Sequence, residues 1–119
     1  MDSILTSIKK LLGIDKEDTS FDGELIIHIN SVFALLRRMG IGPSDGFLIE
    51  DSTNTWDEYI TEGTNPILAS VKTYMHLKTK LVFDPPTNSA LLQTMKEEIQ
   101  EFEWSLNFEV DAMADSKEG

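Results

Sequence analysis

His28 and His76 are the side chains best suited by type to metal binding or proton transfer. A zinc site needs further ligands at fixed spacing, as in His-Glu-x-x-His, and neither histidine stands in such a motif. Both read as boundary or surface histidines on two different helices. Asp15, Glu17 and Asp18 resemble the start of a calcium loop, but the glycine at its sixth position and the glutamate at its twelfth are missing. Gly40-Ile41-Gly42-Pro43 lacks the lysine and the following serine or threonine of a phosphate loop. The absence of cysteine removes thiol nucleophiles, thiolate metal sites and disulfides. Ser–His–Asp and paired-carboxylate sites are recognised by geometry, and no spacing here selects one. The sequence therefore assigns no catalytic residue, no metal ligand and no cofactor. A small hydrolase is its weakest reading, and only an activity screen testing the two histidines would support it.

Trp56 and Trp104 carry a different chemistry. Trp104 follows the stripe residue Phe102 by two positions, which places it off the main helical seam. Trp56 falls in an irregular stretch. A tryptophan on a helix is most often a core residue, but tryptophan is also enriched where one protein surface buries against another, so both are candidate subunit contacts. The adjacent basic pairs, Lys9-Lys10 and Arg37-Arg38, read as solvated helix faces or helix ends.

The chain has 119 residues, 21 acids and 10 bases, and a net charge of −11. That length suits one domain, and 40% hydrophobic residues favour folding over disorder. So acidic a chain lacks the clustered Lys and Arg that grip phosphate. The start, Met1-Asp2-Ser3-Ile4-Leu5, lacks signal-peptide order. No apolar run approaches the ~18 residues of a membrane span.

Apolar spacing of about 3.6 residues predicts an all-α fold, a small bundle of about four helices. A first helix is expected over 3–12, capped by Asp2 or Ser3 and stopped at Gly13. A second, capped by Ser20 or Asp22, ends at Met39. Its seam is Leu25, Ile29, Val32, Leu36 and Met39, widened by Ile26 and Phe33. Residues 40–65 form a long irregular loop between helices two and three, with Phe47-Leu48-Ile49 a possible short strand and Thr55 capping one helical turn. A loop of that length tends to be functional. A third helix opens at Asn65-Pro66 and ends before Asp84-Pro85-Pro86, with Leu68, Val71, Met75 and Val82 on one face. A fourth, capped by Thr87, Asn88 or Ser89, runs to about Asn107 on Leu92, Met95, Ile99, Phe102 and Leu106. Residues 1–107 then make one helical domain. Residues 108–119, with four acids against one lysine, make an acidic, flexible tail.

Several segments together resemble a known family. They are Phe21-Asp22-Gly23-Glu24-Leu25 with His28-Ile29-Asn30-Ser31-Val32, and Gly40-Ile41-Gly42-Pro43 with Gly46-Phe47. Val71-Lys72-Thr73-Tyr74 with Leu77-Lys78, Phe83-Asp84-Pro85-Pro86 and Glu103-Trp104-Ser105-Leu106-Asn107 follow in order. The pattern, from about residue 2 to residue 108, looks like the head–tail connector (adaptor) proteins of long-tailed phages and prophages of low-GC Gram-positive bacteria. Ser105 departs from it, since a basic residue is expected after the tryptophan.

The resemblance implies a non-enzymatic virion protein at the head–tail interface, assembled in the cytoplasm of the host bacterium. It implies a ring of identical subunits, roughly twelvefold, docked on the portal protein with a stopper or tail-completion protein beneath. DNA would be passing cargo only, and no membrane is involved. Trp56, Trp104, Asn107, Phe108 and Val110 are then candidate subunit or portal contacts, with Trp104 to Val110 directed to the portal. Acidic channel walls disfavour phosphate adhesion, so some of Glu50, Asp51, Asp57, Glu58 and Glu62 are expected to face the lumen or its lower rim. The competing reading is a small acidic regulatory or DNA-mimic protein that binds a host or phage enzyme. Self-assembly with a portal, against one-to-one binding to a basic enzyme, separates the two.

Overall fold

The computed structural model describes residues 3–43, 45–60 and 66–118, with Pro66 and 109–118 described by backbone only. It is all-helical: α1 (Ile4–Leu11), α2 (Asp22–Arg38), α3 (Trp56–Tyr59), α4 (Pro66–Phe83) and α5 (Ser89–Glu118). α3 is a single turn, so four helices build the bundle. α4 packs on α5, α2 and α1 and is the central element.

α1 starts where the Ser3 hydroxyl accepts a hydrogen bond from the Thr6 amide at 3.2 Å. It stops at Gly13, whose φ of 78° suits a residue without Cβ. Its buried face is Ile4, Leu5, Ile8 and, unexpectedly for a residue read as solvated, Lys9 at 2% exposure. Lys10 is exposed. The turn that follows is closed by Asp15 and Asp18, whose carboxylates accept from the amides of Glu17 and Ser20.

α2 buries Leu25, Ile29, Val32, Phe33 and Leu36 against α4 and α1. Its cap differs from expectation. Phe21 holds the capping position without a side-chain bond, because the Asp22 carboxylate is drawn to Lys9 instead, 2.9 Å away. Arg37 and Arg38 close the helix, where positive charge meets the negative end of its dipole.

Phe47-Leu48-Ile49 forms no strand. Both backbone groups of Ile49 are taken by one side chain: Asn30 donates to its carbonyl at 3.1 Å and accepts from its amide at 2.8 Å. That amide does the work of a neighbouring strand. The loop is further anchored to the chain start by an isolated bridge, Ser3 to Thr55, and by the Ile4 amide donating to Asn54 at 3.0 Å. Aromatic packing fixes its inner side. The Phe33 ring contacts Phe47, Trp56 and Tyr59 at centroid distances of 5.1, 6.3 and 4.6 Å. α3 has the expected Thr55 cap, with Glu58 returning the bond to the Thr55 amide at 2.7 Å.

α4 buries Ile67, Val71, Tyr74, Met75 and Leu77. Val82, assigned to that face by spacing, is 59% exposed, since it lies in the last turn before Asp84-Pro85-Pro86. Asn88 caps α5 by accepting from the amides of Ala90 and Leu91. α5 turns Met95, Ile99 and Leu106 inward, with Phe102 half-buried. The helix end expected near Asn107 is not observed, for α5 continues to Glu118. No Gly or Pro interrupts 107–118, and Val110 and Met113 extend the three-and-four spacing.

Candidate assembly surface

α5 presents its outer face to solvent. Trp104 is 69% exposed and Phe108 61%. One turn apart, they stack with centroids 5.7 Å apart and planes 17° from parallel. The helical repeat of 3.6 residues sets positions 104 and 108 on the side away from Met95, Ile99 and Leu106. Together the two rings form an exposed apolar patch on the outer face of the helix.

The surroundings of the pair are ordered. Asn107, exposed, donates to the Glu103 carbonyl at 2.9 Å. Glu103 accepts from the Tyr74 hydroxyl at 2.7 Å, tying α5 to α4. Burial, then the Glu103 carboxylate, push the Tyr74 hydroxyl well above its ordinary value. Ser105 is half-buried. The Val110 side chain lies outside the described residues.

Trp56 is placed differently from Trp104. It is 3% exposed, and its indole N–H donates to the Ser7 hydroxyl at 2.9 Å. Its contacts are with the core and α1, so its expected role as a contact with a neighbour meets a side chain with almost no free surface. The difference is set by packing: the loop folds Trp56 over Phe33, while no described element lies outside Trp104.

Of the five candidate channel acids, Glu50, Asp51, Asp57 and Glu58 are exposed on one short segment. Glu62 lies outside the described residues. Glu58 is engaged in the α3 cap. Side-chain and backbone hydrogen bonds from Thr53 hold the Asp51 carboxyl below its ordinary value, so it stays ionised.

Lys9 is the residue that sequence reasoning missed. Its ammonium donates to the carbonyls of Lys16 at 3.0 Å and Asp18 at 2.7 Å and pairs with Asp22. The signal was available: position 9 is one helical turn from Leu5, on the buried face. The segment once compared with a calcium loop thus wraps a lysine. Among the described residues no three His, Asp or Glu side chains converge as metal ligands. His28 donates to the Lys78 carbonyl at 3.2 Å and meets the Phe83 ring edge-on, as a boundary histidine does. No helix among the described residues is long and apolar enough to cross a membrane.

Comparison with known proteins adds one finding. A family model described as phage connector protein matches residues 4–113. No curated protein and no solved structure matches. The match spans all five helices up to the last residues of α5, the stacked aromatic pair included. The chain belongs to the phage connector protein family.

Proposed function

We propose that this chain is one subunit of the ring that joins the DNA-filled head of a tailed phage to its tail. The reading is carried by family membership over residues 4–113. In it the ring docks on the portal protein, and a stopper or tail-completion protein binds beneath. The outer face of α5, from Trp104 through Asn107 and Phe108 to Val110, is the assembly surface, directed to a neighbouring subunit or to the portal. A small domain serves such a ring when it carries a sticky face beyond its own core, since rotation makes one patch meet a different patch.

In the same reading some of Glu50, Asp51, Asp57, Glu58 and Glu62 line the channel or its lower rim. DNA then passes a wall that repels phosphate. A ring structure with all five on the outer wall would end this part of the proposal. The role itself is tested by electron microscopy of lysates from the producing host, with and without the gene. Heads and tails that accumulate apart without it, and join when it is restored, support the connector. Normal joined particles without it reject the role and favour an acidic regulatory protein.

A further inference from the structure

The bundle carries, besides the aromatic knob on α5, a cleft of about 570 Å³ between α1, α3 and α4. Leu11, 52% exposed, supplies most of its free apolar surface, over the buried side chains of Ile8 and Trp56, and its polar lining includes Lys10 and Lys72. The Lys72 ammonium lies 5.5 Å from the centre of the Trp56 ring. Among the described residues no carboxylate lines the cleft, in a chain whose acids outnumber its bases by 21 to 10. The floor is preformed, because the bond from Trp56 to Ser7 locks the indole in place.

The knob is the chemical complement of this cleft. Trp104 and Phe108 are already stacked, and each ring of this kind buries roughly 150–250 Å² when covered. Glu97 and Glu101, both exposed, fall on the same outer face of α5 by the 3.6-residue repeat. An apolar knob with carboxylates beside it faces an apolar cleft with ammonium groups beside it. Knob and cleft belong to different elements, so their union is head-to-tail and continues from copy to copy until a ring closes.

We infer that Trp104 and Phe108 of one copy seat in the α1–α3–α4 cleft of the next, with Glu97 and Glu101 meeting Lys10 and Lys72. This rests on the ring reading above and names the partner of the α5 surface as a second copy of this chain. The cleft is the receiving half, which the fold supplies and no single sequence motif marks.

The test uses charge reversal and rescue in the full chain, returned to a phage host that lacks the gene. Glu97→Lys with Glu101→Lys lowers the yield of joined particles about tenfold, because like charges now meet. Adding Lys10→Glu to the same chain restores most of it, which happens only when both surfaces belong to copies of one protein. All three positions are exposed, and helix content by circular dichroism checks that each variant folds. A second arm uses the absence of cysteine. Asn107→Cys and Leu11→Cys chains are produced together, the particles are oxidised, and cross-linked dimers are sought on non-reducing gels. Dimers that neither variant forms alone support the pairing. Unchanged yield on charge reversal, failure of Lys10→Glu to restore it, or Asn107→Cys cross-linking to a different protein overturns it. None of these outcomes touches the connector role, which fails only if particles join without the gene.

Discussion

The Lys9 ammonium sits in a pocket 2% exposed, held by two carbonyls and the Asp22 carboxylate. Together they fasten the α1–α2 connection to both helices. Removing the cation leaves a carboxylate and two carbonyls facing an apolar stem. Lys9→Met is expected to cost about 3 kcal/mol by urea denaturation, while Lys10→Met at its exposed neighbour stays within about 0.5 kcal/mol. Equal effects of the two changes would show that the buried pair adds nothing. Gly42 is a second sensitive point. Its φ is +89°, and a Cβ there would lie 2.6 Å from the Tyr59 ring, which is wedged between Phe33 and Phe47. Gly42→Ala combines backbone strain with a clash and should lose about 2–3 kcal/mol. Gly13→Ala, at φ +78° in open space, should lose only the strain of about 1 kcal/mol. The same denaturation series compares them.

At the scale of elements, two tryptophans separate stability from assembly. Trp56 closes the aromatic cluster that holds the loop to α2, so Trp56→Ala should cost about 3–5 kcal/mol. Trp104 touches Phe108 and solvent, so Trp104→Ala should leave the unfolding midpoint within about 0.5 kcal/mol while head–tail joining falls. A large loss of stability in Trp104→Ala would place it in the core and remove it from the assembly surface. α5 itself has thirty residues and is therefore about 45 Å long, close to the 48 Å longest dimension of the molecule.

The whole molecule has a defined pH range of stability. Burial is the first cause that lowers the pKa of both His28 and His76 below the ordinary 6.5. Groups facing them temper this: the Lys78 carbonyl for His28 and the Leu11 backbone for His76. The unfolded chain then binds protons first, so this contribution is present above pH 6.5 and is lost as pH falls below it. Tyr59 and Tyr74 are raised above their ordinary 10.0, both mainly by burial. Their contribution is present below pH 10 and is lost as pH rises beyond it. Denaturation midpoints measured from pH 5 to pH 11 should therefore show a plateau between about 6.5 and 10, and His76→Gln should reduce the slope on its acid side. An acid limb unchanged by that substitution would assign the loss to other groups.

Hydrophobic spacing and helix punctuation by themselves determined the all-α class, the four bundle helices, the Thr55 turn and the seam of α2. These are local properties, set by residues three and four apart and by capping side chains within a turn of the helix end. They also brought Trp104 to notice, because an aromatic residue off the seam is visible in the register. Packing between distant segments decided the rest. Asn30, not a neighbouring strand, satisfies Ile49. Lys9 is buried because Asp22 and the carbonyls of the connection converge on it. Trp56 and Trp104 exchanged their apparent likeness for opposite environments, one under the loop and one in water. The cleft of Ile8, Leu11, Trp56 and Lys72 joins three elements far apart in the chain. Burial depends on which surfaces meet in space, and a one-dimensional pattern states which face is apolar but not what comes to cover it.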